Sequence, residues 1–276
     1  MPGGLPLGLD VCNGNSTGTS SSLGTAVTCA GSANTKGSWA QLVASTPNDT
    51  VFVDVVIYFN ASAFSAAGQQ LAVDIGVGAG GSEVVIANNL MNVPGYTLKT
   101  GVHYAFPLAI PAGTRIAARA QASVASAVAN VSINLFDGSF TQMEGIAAVD
   151  SIGFQAGTTR GVTLTPNASA NTMGSYAQLV ASSSVDYMGI MAAFDYQGGA
   201  FATQNWLVDI AIGAGGSEVV VVPQLFTGGG GANAFGCPVM PFIPLSIPAG
   251  TRIAARCQSS AASGAAIGAT LFGVYQ

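Results

Sequence analysis

Apolar and polar positions alternate along most of this chain with a period of two. The runs VFVDVVIYF (51–59), LAVDIGVGA (71–79), EVVIANNLM (83–91), YAFPLAI (104–110), TRIAARAQA (114–122) and VSINLF (131–136) are rich in Val, Ile, Thr and aromatic residues. Each is bounded by Gly, Pro, Asn or Ser. Side chains two apart on a strand share a face, so such runs predict half-buried β-strands. WAQLVAS (39–45) adds another. No long stripe at helical spacing interrupts them, and glycine, 37 residues of 276, recurs too often for helices.

The runs come in two sets. NTKGSWAQLVAS (34–45) returns as NTMGSYAQLVAS (171–182), LAVDIGVGAGGSEVV (71–85) as LVDIAIGAGGSEVV (207–220), and IPAGTRIAARAQ (110–121) as IPAGTRIAARCQ (247–258). The phrases keep their order and a nearly constant offset, which predicts a tandem duplication of a whole domain rather than a short-period solenoid. SLGTAVT (22–28) precedes NTKGS at the same distance as TRGVTLT (159–165) precedes NTMGS, so the Gly/Ser/Thr-rich start belongs to the first module. The expected fold is all-β: two tandem jelly-roll-like antiparallel β-sandwich domains, at 1–137 and 148–276, joined by a linker at 138–147.

Composition narrows the function classes. Only 7% of residues are charged and the net charge is −5, with basic residues scattered, so no stripe exists to neutralise nucleic-acid phosphates. The mean hydropathy is +0.50, yet every apolar run is too short for a membrane-spanning helix. A surface with so little charge suits a protein packed against neighbours. MPGGLPLGLD lacks a positive stretch followed by an apolar one, so no secretory signal is expected, and the Asn-x-Ser/Thr triplets at Asn15, Asn48, Asn60, Asn130 and Asn167 are expected to stay unmodified. Cys12, Cys29, Cys237 and Cys257 have no metal-binding spacing and read as free, mostly buried thiols.

The repeated charges are the candidate site residues. Asp74, Glu83, Arg115 and Arg119 recur as Asp209, Glu218, Arg252 and Arg256, eight of the nineteen charged residues, counting seven basic and twelve acidic. Arg115 and Arg119 lie four apart and so share a strand face, with Ile116, Ala118 and Ala120 on the other. Each arginine is expected to fork onto Asp74 or Glu83, within its module or across a subunit boundary. The preceding PAGT supplies a tight turn. GAGGSE (78–83, 213–218) lacks the Lys-Ser/Thr ending of a phosphate loop and reads as a strand connection. The copies diverge most between NVPGYTLKTG (92–101) and TGGGGANAFG (227–236), loops where binding differences would sit.

No catalytic motif accompanies these residues. His103 is the only histidine and G-x-S-x-G is missing, so neither a triad nor a histidine metal site is expected. Asp74 and Glu83 could form a glycosidase pair, but each has a basic partner within the repeat. Neither cofactor nor metal is predicted. Trp39 and its counterpart Tyr176, with Tyr96, are aromatic candidates for stacking on sugars; for Trp39 and Tyr176 a core packing role is preferred.

SWAQLVAS, DIGVGAGGSEVVI and IPAGTRIAARAQ, with their second copies, resemble phrases of structural proteins encoded by tailed bacteriophages. The resemblance covers most of both modules and carries over no functional residue. It implies a non-enzymatic virion component, assembled in the host cytoplasm with other virion proteins, either the major capsid protein or tail proteins. A capsid cement or decoration protein is the first expectation, as a homo-oligomer and in one form a trimer with six similar modules. A tail, fibre or head-spike component, or a carbohydrate-binding module contacting a host glycan, is the alternative. Neither nucleic acid nor membrane is expected as a partner.

Overall fold

A computed structural model describes residues 8–13, 24–59, 69–92, 101–137, 148–196, 204–228 and 239–276. The linker at 138–147, Tyr96, Cys237 and most of the two divergent loops lie outside the described residues.

The described residues form strands and turns only. The first half contributes β1 (Gly8–Asn13), β2 (Thr25–Thr28), β3 (Ala40–Val43), β4 (Phe52–Phe59), β5 (Leu71–Val77), β6 (Val84–Asn92), β7 (Val102–Phe106), β8 (Ile116–Ala122) and β9 (Val128–Asp137). The second contributes β10 (Ala148–Ile152), β11 (Phe154–Gln155), β12 (Arg160–Leu164), β13 (Ala177–Val180), β14 (Tyr187–Tyr196), β15 (Asn205–Ile212), β16 (Val219–Gly228), β17 (Ile243–Ile247), β18 (Ile253–Ser259) and β19 (Ile267–Tyr275). Among the described residues no helix is long and apolar enough to cross a membrane.

The pairing in one half repeats in the other. β4 lies between β7 and β9, with β1 and β2 along the far side of β9; β14 lies between β17 and β19, with β10 and β12 along β19. The second layer runs β6-β5-β8-β3 in the first half and β16-β15-β18-β13 in the second. The fold is therefore all-β and sandwich-like. The alternating runs produce it directly: in β9, Ala129, Val131, Ile133 and Leu135 are fully buried while the residues between them are half-buried. The run at 104–110 is shorter than expected. Pro107 has no N–H to donate to a ladder, so β7 ends at Phe106, and Ile110 makes a lone bridge with Thr50.

The two halves share a sheet. β10 pairs in parallel with β6 at Val149 and Ala87, which makes a ten-stranded sheet spanning both halves. Asn88 and Asn89 fasten the joint. Asn88 Oδ1 accepts the Ser151 N–H at 2.6 Å, Asn88 Nδ2 donates to Asp150 at 2.9 Å, and Asn89 Nδ2 donates to the Ser151 hydroxyl at 2.9 Å. As a result β14 and β19 are covered on both faces. Ile190, Ala192, Phe194, Ile267, Ala269 and Leu271 point into the second core, while Met191, Ala193, Phe272 and Val274 belong to the first. The Phe272 ring meets Tyr104 edge-on at 5.1 Å, and the Tyr104 hydroxyl donates to the Met91 carbonyl at 2.6 Å. On the free edge of β16, Pro223 and Gln224 stand where β6 has Asn88 and Asn89. Proline offers no N–H there, which blunts that edge against strand addition.

Candidate functional site

The repeated arginines and carboxylates lie on and beside β5, β6 and β8 in the first half and β15, β16 and β18 in the second. Asp74 faces Arg119 directly across β5 and β8, and Asp209 faces Arg256 across β15 and β18. Arg119 Nε donates to Asp74 Oδ2 at 2.9 Å, and Arg256 Nε to Asp209 Oδ2 at 2.9 Å. Each aspartate also holds a bulge. Asp74 Oδ1 accepts the N–H of Asn89 at 2.9 Å, and Asp209 Oδ1 that of Gln224 at 3.0 Å, both residues having positive φ.

The second pair ties down the glycine loop. Arg115 Nη1 donates to Glu83 at 2.8 Å and to the Gly78 carbonyl at 3.2 Å, while its Nε donates to Gln41 at 3.0 Å. Arg252 repeats this with Glu218 at 3.0 Å, Gly213 at 3.0 Å and Gln178 at 3.0 Å. Gly81 and Gly216 have φ near +85° and +83°, and their N–H groups reach back to Glu83 and Glu218, each at 2.9 Å. GAGGSE is thus a strand connection folded around a carboxylate. The PAGT turns are clasped alike: Thr46 donates to the Pro111 carbonyl at 2.7 Å and Ser183 to that of Pro248 at 2.8 Å.

Every one of the eight candidate residues finds its opposite charge in its own half of the chain. Asp74 and Glu83, considered as an acid–base pair, are each held by a separate arginine. Burial pushes the Glu83 carboxyl up, but bonds from its own N–H, from Arg115 and from Gly81 outweigh it and hold it below the ordinary value. For Glu218 the bond from its own N–H leads, and the carboxyl is likewise held low. A general acid needs the opposite shift. Because both folded values lie below the ordinary 4.5, this stabilisation is present above that pH and is lost as pH falls through the lower folded values. The melting temperature should therefore drop in acid below about pH 4.5, and Glu83→Gln/Glu218→Gln should flatten that dependence; an unchanged acid slope would be inconsistent.

No family model matches this chain, and no curated protein does. Among solved structures it is similar to a peptide-N(4)-(N-acetyl-β-D-glucosaminyl) asparagine amidase, at 9% identity, 91% coverage of this chain, 96% of that chain and a TM-score of 0.40. A tandem CBM22 domain of Paenibacillus barcinonensis Xyn10C gives 9% identity, 97% coverage of each chain and a TM-score of 0.29. The T13 particle of infectious bursal disease virus gives 11% identity, 83% of this chain, 56% of that chain and a TM-score of 0.24. These likenesses carry no argument about activity.

The aromatic candidates occupy a place the sequence did not suggest. Trp39 and Tyr176 lie outside the cores, half-buried on the outer face of a sheet, with the Arg119 and Arg256 guanidinium groups 4.6 Å from the ring centroids. The run-in GSW and GSY precedes β3 and β13, so these rings cross the outside of the sheet rather than alternate into it. The edge of the Trp39 ring sits on Gly76, where an added Cβ would be 2.7 Å from Cη2. The second copy has the smaller Tyr176 and, opposite it, Ala211 in place of glycine. Gly76→Ala should therefore cost about 1–3 kcal/mol by overpacking. Trp39→Tyr on that background should recover most of it in urea unfolding; failure to rescue would break the size-matching argument.

Lys36 is a further charged residue at this site, and it has no charged counterpart in the second copy. Its ammonium lies 2.7 Å from Asp74 Oδ1, so Asp74 serves two cations. Burial pushes its pKa below the ordinary lysine value, against the pull of Asp74. The second copy has Met173 at this position, and that substitution within otherwise matching NT-x-GS phrases was the available signal. Since Met serves there, Lys36→Met should change stability by less than about 1 kcal/mol in urea unfolding.

Cys29 and Cys257 are free and buried, their thiols pushed up by burial to about 11 and about 12, unlike reactive cysteines. His103 is exposed, 3.2 Å from Asp54. It rims an apolar cleft of about 530 Å³ at the seam, between Phe52 and Pro107 of the first half and Met191, Met240 and Phe242 of the second. Among the described residues no group of His, Cys, Asp and Glu could hold a metal ion.

Proposed function

We propose that this protein is a non-enzymatic structural component of a bacteriophage virion, acting as a capsid cement protein that bridges capsid subunits. The observation that carries this reading is the seam. A sheet running through both halves, with β14 and β19 buried on each face, makes one stiff body with two sandwich surfaces. Such a body suits bridging between two neighbours better than flexible tethering. The internal pairing of the repeated charges supports it, because those groups brace the sandwiches and leave a weakly charged exterior. The exposed Val219 and Phe226 on the edge strand β16 add apolar surface for packing.

Quantitative mass spectrometry of purified particles tests the proposal. Hundreds of copies per particle, in fixed ratio to the major capsid protein, are expected. A handful of copies would favour the tail or spike reading, and absence from particles would remove both. Light scattering on the isolated protein tests the accompanying trimer, which a monomer at micromolar concentration would exclude.

A further inference from the structure

Lys36 lines a pocket on the first half, at a position where the second half carries Met173. The cavity, about 480 Å³, is lined by Thr28, Lys36, Gly37, Ser38 and Trp39 among others, a volume within the range of small-molecule sites. Each of its polar side chains can donate a hydrogen bond. The Thr28 and Ser38 hydroxyls and the Trp39 indole N–H have no hydrogen-bond partner among the described residues, and Lys36 has ammonium protons beyond the one directed at Asp74.

The local charge is unbalanced in the same direction. Lys36 and Arg119 share the single carboxylate of Asp74, two positive charges against one negative. Among the described residues Asp74 is the one carboxylate acting on Lys36, and Arg119 is the other charged side chain there. In the other half Arg256 and Asp209 balance one to one, and Met173 and Tyr176 supply neither ammonium nor indole N–H. A half-buried surplus cation in the lining of an open polar pocket is a site for one negative charge.

We propose that this pocket binds a small ligand bearing one carboxylate, of the class of a hexuronic acid. The carboxylate sits against the Lys36 ammonium and neutralises the surplus charge. The sugar hydroxyls accept from Trp39 Nε1 and exchange hydrogen bonds with Ser38 and Thr28. A phosphate monoester, with nearly two charges, would overcompensate the site. The site depends on the first module alone and stands whether or not the protein is a virion component.

Titration calorimetry of the whole protein with sodium glucuronate, with acetate, glucose and inorganic phosphate as comparison probes, tests the assignment. Saturable glucuronate binding is expected, with acetate weaker and glucose silent. Lys36→Met, which installs the second copy's own residue, should weaken glucuronate by about tenfold or more. Trp39→Phe, which keeps a ring but removes the N–H, should weaken it by a smaller factor. Glucuronate binding that is absent, that survives Lys36→Met unchanged, or that phosphate exceeds would overturn the proposal, and acetate matching glucuronate would overturn the sugar class.

Discussion

Replacing Asp74 with alanine should destabilise the protein by about 3 kcal/mol and lower its melting temperature by roughly 10 °C. The size follows from what the carboxylate holds. Its side chain is 4% exposed, and it accepts from Lys36, Arg119 and the Asn89 N–H at the β6 bulge. Truncation leaves two cations facing each other and orphans a backbone donor, each unfavourable in a partly buried setting. Arg119 is 32% exposed and can turn to water, which places the effect at the low end for a broken buried pair. Asp209→Ala removes the partner of one cation only, so its cost should be roughly half. Lys36→Met should recover part of the Asp74→Ala loss, because it removes one of the stranded charges. Equal costs at Asp74 and Asp209, with no recovery, would mean that the surplus charge does not shape the first module.

The strands and the pairing of repeated charges were legible because both follow from local rules. Alternation with a period of two marks one wet and one dry face, and two arginines spaced by four on a strand must share a face. The seam was not legible by the same rule. β19 reads IGATLFGVY, and its alternation disappears because Phe272 and Val274 face one core while Leu271 faces the other. The signal was present in the comparison of copies. β9 carries Asn134 on the outer face where β19 carries Phe272, and that exchange of a polar for a large apolar residue announces a buried outer face. Asn88 and Asn89 against Pro223 and Gln224 mark which copy of the edge receives a strand. Differences between the copies, more than their shared phrases, locate the features peculiar to this chain. Trp39 was misplaced because a ring just before a short strand need not follow that strand's alternation; a long side chain over Gly76 lies along the outer face instead.

The seam yields the other large effect. Phe272→Ala should cost about 3–5 kcal/mol, since the ring is fully buried and meets Tyr104 edge-on. The informative part is where the loss registers. Phe272 is carried by the second half but packs in the core of the first, so its removal should destabilise both. The chain holds two tryptophans, Trp39 in the first half and Trp206 in the second, where Trp206 is buried and donates to the Ala265 carbonyl at 3.0 Å. Trp39→Tyr and Trp206→Phe therefore give single-tryptophan reporters for each half. Without the seam mutation the two reporters should share one urea midpoint, and with Phe272→Ala both midpoints should fall together. Two separate transitions before the mutation would show that the shared sheet does not couple the halves. A shift confined to Trp206 would place Phe272 in the second sandwich alone and deprive the bridging proposal of its stiff body.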